Sequence, residues 1–284
     1  MASTVVDCSP RGSESKTPNS FRATSSDSSL LPKSSSISIR AWRHMLEPVR
    51  ASEFVELELL ILTFCTGIQD AVSFPDYHCF ASNQTGNTVF LMLAIILPRL
   101  NGEMFITTSI GAALGFFLLG SWLTGQVGHI VGPRRRIWLV GCNLAQSCLV
   151  FAAAAVQHTR GIRLDGVEAA AVIGLLAFAA GSQVVQSRSF QMTEISTAMA
   201  TAAWMDLMID PALFRLHNRP RTRRVVFLAT LVLGSLAGAG IYRAAGSAVA
   251  IFVSAAGKVV VTGMYLFNGA DKPKPKTTVG EEAC

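Results

Sequence analysis

Three stretches of this chain carry no Lys, Arg, Asp or Glu: 30 residues from Met104 to Pro133, 23 from Ile137 to Thr159, and 19 from Ala169 to Ser187. A bilayer's hydrocarbon core is about 30 Å thick, so a helix needs about 20 residues to cross it. Runs of this length predict membrane-spanning helices. Composition agrees, with 50% hydrophobic and only 15% charged residues, where soluble domains carry roughly 25% charged. A soluble globule, a coiled coil and a disulfide scaffold are excluded.

Eight apolar segments can be marked, roughly 57–74, 81–97, 105–131, 137–156, 167–187, 195–209, 225–242 and 247–267. Lipid offers no partner to unpaired backbone groups, and no segment alternates with period two as a barrel strand would. The expected fold is all-α, a polytopic helix bundle in the membrane with six to eight apolar segments in two repeats. It occupies about residues 55–268. Residues 1–45 form a tail, with 13 serines in the first 40, too poor in apolar side chains to offset its ordering entropy and expected to be unstructured. Having no apolar h-region, it is not a secretory signal. A polar tail follows from 269 to 284.

Two segments stand apart. Behind Asn87 and Thr88, the second has only residues 89–97 before Pro98, about 14 Å of helix; the sixth has 195–205 between Glu194 and Asp206, about 16 Å. Each is closer to half a membrane than to a whole one.

The halves echo each other. Gly67-Ile68-Gln69 returns as Gly181-Ser182-Gln183, Thr85-Gly86 falls opposite Thr197-Ala198, and Gly111–Gly115 is matched to Gly234–Gly238. Transporters are often built from such repeats. The Lys and Arg of loops and C-terminal tail divide 11 to 5 if all eight segments cross, and 12 to 4 if the second and sixth dip in and return. Both divisions satisfy the positive-inside rule with cytoplasmic termini. The six-span version also gathers Arg134–Arg136 and the arginines from Arg215 to Arg224 on one side, and it is preferred.

The net charge of +6 does not imply nucleic acid, because the basic residues lie in tails and at the ends of apolar runs. Cys65, Cys142 and Cys148 read as small apolar residues. The five histidines have no metal-ligand spacing, and no metal or cofactor is expected. Gly111, Gly115, Gly234 and Gly238 form small-xxx-small faces suited to helix packing, within the chain or in a homo-oligomer. Lys258 interrupts the last segment and could pair with Asp206 or Asp70, or reach an interface.

Chemistry concentrates between Gly67 and Asn87. A carboxylate at membrane depth costs several kcal/mol, so Asp70 marks an ion path or a partner. Asn83, Thr85 and Asn87 can cap the following half-helix, Gly86 permits close backbone approach, and the positive end of a helix starting at depth suits an anionic group. The alternative is that Asp70 lies at the interface and the Asn/Thr set only caps a helix. Asp70, Gln69, Asn83, Thr85, Gly86 and Asn87 are the candidate binding residues.

The run Gly67-x-Gln69-Asp70-Ala71, followed by Phe80-x-Ser82-Asn83-Gln84-Thr85-Gly86-Asn87, resembles the signature of the YoaK-like membrane family, filed as domain of unknown function DUF-1275. The resemblance covers about residues 55–268. It implies a multi-spanning membrane protein and no established activity, and it points to Asp70, Thr85, Gly86 and Asn87. The second half departs from it, with Val184 opposite Asp70 and Ala198 opposite Gly86.

Three function classes can be compared. A secondary transporter or permease for a small polar or anionic solute fits the repeat, the half-length segments and the acid at depth. A non-transporting scaffold or partner subunit would use the Gly faces and the serine-rich tail. An intramembrane enzyme would need a nucleophile or metal motif, and neither Gly-x-Ser-x-Gly nor His-Glu-x-x-His occurs. The chain is therefore not expected to be an enzyme.

Overall fold

The computed structural model describes residues 33–215 and 217–271. The chain divides into two units, residues 1–40 and 41–284. Of the first, only the start of a helix is described, α1 (Lys33–Leu46). Residues 33–45 of the segment expected to be unstructured thus lie in a helix. Ile39, Trp42 and Leu46 recur at helical spacing, which the count of serines obscured. The rest of both tails lies outside the described residues.

The second unit is an all-α bundle. Among the described residues, six helices are long and apolar enough to cross a membrane: α2 (Glu53–Tyr77), α4 (Thr107–Val131), α5 (Arg136–Arg160), α6 (Val167–Arg188), α8 (Arg219–Ala245) and α9 (Ser247–Phe267). The chain is a multi-pass membrane protein. Two shorter helices complete it, α3 (Gln84–Ile96) and α7 (Ala200–Met208). Helix ends follow local chemistry. Asn218 caps α8 by accepting from the Arg221 N–H at 3.1 Å. Gly246, at φ 86°, ends α8 and starts α9 within one residue, a conformation that favours glycine.

The spans alternate between two faces. On the first, the Val49 N–H donates to the Arg134 carbonyl at 2.8 Å, and Arg50 N–H to Gly269 at 3.0 Å. These bonds join the start of α2 to the α4–α5 turn and the end of α9. Arg219 adds the start of α8 through Glu56 at 2.7 Å. On the opposite face, Asp76 of α2 accepts from Gln157 of α5 at 2.6 Å and from the Tyr242 hydroxyl of α8 at 3.0 Å. Arg134–Arg136 and Arg219–Arg224 at the start of α8 thus share one face, as the six-span reading requires.

α2 packs against α8 and α9, α6 packs against α4 and α5, and α5 meets α9. Two close crossings hold the bundle. A methyl on Gly234 of α8 would collide with the Phe64 carbonyl of α2, and one on Gly120 of α4 with the Phe178 carbonyl of α6. Gly67 meets Leu231 and Ser235 just as Gly181 meets Phe117 and Ser121. Each residue in one crossing lies 114 positions from its counterpart in the other.

This corrects the glycine matching. Gly111 and Gly115 are exposed on α4 with open space about them. Gly120 is the counterpart of Gly234, and Gly238 packs on Ile68. The sequence contains several equivalent-looking small residues in α4, and only the crossing point distinguishes them.

Candidate functional site

α3 and α7 are too short to span. Their 13 and 9 residues give about 20 and 14 Å of helix. After α2 ends at Tyr77, the chain turns back: His78 adopts a left-handed φ of 52° and its N–H caps the Phe74 carbonyl at 2.9 Å. Ala81 N–H then reaches Ser73 Oγ at 3.2 Å, and Ser82 N–H reaches Asp70 Oδ1 at 2.9 Å. The Ser82 hydroxyl donates to the other Asp70 oxygen. Asp70 lies about 10 Å below the end of α2, so α3 begins within the bundle and runs back to the face it left. It starts sooner than its sequence predicted, at Gln84, with Asn87 and Thr88 inside it.

α7 repeats the arrangement from the other face. α6 ends at Arg188, the chain folds back, and α7 returns to where Asp210 meets Arg224 at 3.6 Å. α7 begins at Ala200, five residues later than the apolar run starting at Ile195. Those five residues form an irregular turn. Ile195 is buried, Ser196 Oγ accepts from the Met199 N–H at 3.1 Å, and Thr197 sits at φ 58°. That conformation is strained for a β-branched residue. Thr197 is fully buried, and its hydroxyl has no partner among the described residues.

The N-terminal ends of both half-helices line one cavity of about 510 Å³. Asp70, Ser82, Asn83, Gln84 and Thr85 form one side; Ala198, Met199, Ala200, Thr201 and Ala202 form the other. Phe117 and Leu231, which are counterparts in the 114-residue register, complete the wall, as do Val184, Val185 and Arg188. Such a cavity offers polar backbone at membrane depth, two positive helix ends and one carboxylate.

The candidate residues therefore separate. Asp70, Asn83 and Thr85 reach the cavity. Asn87 does not: it is fully buried, donates to the Phe80 carbonyl at 2.7 Å and accepts from the Phe80 N–H at 2.9 Å, bracing the turn. Gly86 leaves room for the Phe80 ring, which a methyl would approach at 3.3 Å. Gln69 faces away and donates to Ser254 of α9 at 2.8 Å.

The match of the family model for the Protein of unknown function (DUF1275) runs over residues 59–264. The chain belongs to that family. In this DUF1275 protein the matched region takes in both half-helices and the cavity between them. No curated protein and no solved structure matches the chain.

Sequence reasoning missed several buried polar groups of this DUF1275 protein. Glu58 is fully buried and both its oxygens accept from the Asn268 amide, at 2.8 and 2.9 Å. Arg136 is fully buried and donates to the carbonyls of His44, Tyr265 and Asn268. Asp76 joins α2 to two other helices, through Gln157 of α5 and Tyr242 of α8. Lys258 pairs with neither Asp206 nor Asp70; its Nζ donates to Gln183 and lies 3.4 Å from Gln146 Oε1. Asp206 instead meets Arg224 at 3.6 Å. The missed charges border apolar runs, where interface and interior look alike in sequence.

Proposed function

We propose that this DUF1275 protein is a secondary transporter or permease for a small polar or anionic solute, which passes through the cavity between α3 and α7. One observation carries the reading: two helices of half-membrane length, from the two halves of the chain, open their N-terminal ends on a single cavity within the spanning bundle. Non-helical backbone is tolerated at membrane depth where it lines a water-filled space. Discontinuous helices meeting at a repeat interface are the usual construction of a solute site in transporters. The 114-residue correspondence between the crossings supports descent of the two halves from one repeat. By the positive-inside rule, the face carrying Arg134–Arg136 and Arg219–Arg224 is cytoplasmic, and both termini belong on that side.

The test is flux. Full-length protein is reconstituted in liposomes and challenged with sulfate, nitrate, glycerol and choline, as wild type and as Asp70→Asn. The asparagine can still accept from Ser82, so the turn persists while the charge is lost. Uptake of at least one solute by wild type, reduced to the level of empty vesicles in the variant, is expected. Unchanged flux would remove Asp70 from the path. A wild type that passes none of the four solutes overturns the reading.

A further inference from the structure

We propose that Arg188 is an anion-selecting gate between the central cavity and a second cavity beneath the basic face. The proposal rests on the permeation reading above and adds that, among charged solutes, small oxyanions are selected, while neutral solutes pass without help from Arg188. The second cavity, about 390 Å³, is lined by the irregular turn after α6, including Gln191, Met192, Thr193 and Ile195. Arg188, Met199 and Ala202 line both cavities, so these three residues form the common wall.

Charge on this wall is one-sided. Among the described residues lining the two cavities, Arg188 is the only cation and Asp70 the only acid. Asp70 is held by the amide and hydroxyl of Ser82. Arg188 donates through Nη2 to the Met199 thioether at 2.9 Å, and it forms no ion pair with a described carboxylate. A thioether is a weak acceptor. Oxyanions are far better partners for a guanidinium, whose planar fork of N–H donors matches two oxygens at once. A solute with such oxygens can displace Met199 from Arg188, whereas a cation meets repulsion and a neutral solute meets only the steric wall.

Ala202 provides a reporter, since it lines both cavities at the same wall. In full-length Ala202→Cys protein in lipid nanodiscs, the rates of modification by anionic sulfonatoethyl and cationic trimethylammonioethyl methanethiosulfonate are read at position 202 by peptide mass. The anionic-to-cationic ratio, normalised to a free thiol, is expected to fall by about tenfold on adding Arg188→Gln, as for one charge acting over several ångströms in a partly hydrated site. Arg188→Lys, which keeps the charge, is expected to preserve the ratio. In liposomes, Arg188→Gln should abolish sulfate and nitrate flux and leave glycerol flux intact, while Arg188→Lys retains part of the anion flux. An unchanged ratio in Arg188→Gln overturns the gate and leaves the transport reading standing. Equal loss of anion and glycerol flux does the same, since it marks a structural role. Absence of wild-type flux for every solute overturns the transport reading itself.

Discussion

Asp70 and Ser82 are joined twice: the serine amide donates to one carboxylate oxygen at 2.9 Å and its hydroxyl to the other. This pair is what returns the chain into the bundle after α2 and sets the depth at which α3 starts. Ser82→Ala removes the hydroxyl and leaves the amide. A hydrogen bond to a charged group contributes about 1.5–3 kcal/mol, so the variant should unfold earlier by that amount. The loss should nearly vanish in the background of Asp70→Ala. A double-mutant cycle on thermal unfolding in detergent micelles checks this, and additive losses would mean the pair is not coupled.

The glycines give a matched set. Gly120→Val and Gly234→Val each force a side chain into a facing backbone carbonyl that cannot swing away, so both should destabilise the bundle by at least the roughly 1–3 kcal/mol typical of overpacking. Gly111→Val and Gly115→Val point into open space and should change stability within about 0.5 kcal/mol, as surface changes do. Chemical denaturation of the four purified variants distinguishes these outcomes. Equal behaviour of all four would remove the 114-residue register.

Acid should loosen the loop after α7. The Ala212 N–H donates to the Asp210 carboxylate at 2.8 Å, and the Asn218 amide at 2.9 Å. These bonds, with Arg224 and Arg221 nearby, hold the Asp210 carboxyl below its ordinary range. A depressed folded-state pKa stabilises above the unfolded value, about 4, and that contribution is lost as pH falls through the folded value. Limited proteolysis around residues 209–218 should therefore accelerate below about pH 4 in wild type. Asp210→Asn should cleave at the faster rate at neutral pH and respond little to acid.

How much of this could be read in the chain depends on distance along it. The spans were legible because apolar length is a local property, and α5 and α6 fall close to their charge-free runs. The half-helices were legible as short segments, yet their starts shifted. Asn83 and Ser82 recruit Gln84 to Asn87 into α3, whereas Thr197 and Ser196 divert the residues after Ile195 into a turn. The pairing of Asp70 with Ser82 was not anticipated, although both residues lay inside the motif. Partners such as Glu58 with Asn268, 210 positions apart, follow only from the folded arrangement.

Lys258 permits a last prediction. It is the only lysine between residues 34 and 271, it is fully buried, and both acceptors facing it are glutamine carbonyls, on α5 and α6. Gln183 also donates to Thr66 of α2 at 2.9 Å, so one side chain ties Lys258 to a third helix. Lys258→Met removes the donor and leaves two amide oxygens short of a partner, in a residue of similar length. Gln183→Leu removes the nearer acceptor, leaves the buried Lys258 nitrogen only Gln146 Oε1 at 3.4 Å, and takes a donor from Thr66, whose hydroxyl keeps its bond to the Leu62 carbonyl. Breaking one partner of a buried polar pair costs more than replacing the group that is hardest to solvate. Gln183→Leu should therefore destabilise by about 3 kcal/mol, and Lys258→Met by about 1 kcal/mol or less. The order is read from thermal unfolding of the two variants in the same lipid. If Lys258→Met is the more damaging, the lysine is the centre that organises the network and the glutamines are its replaceable shell.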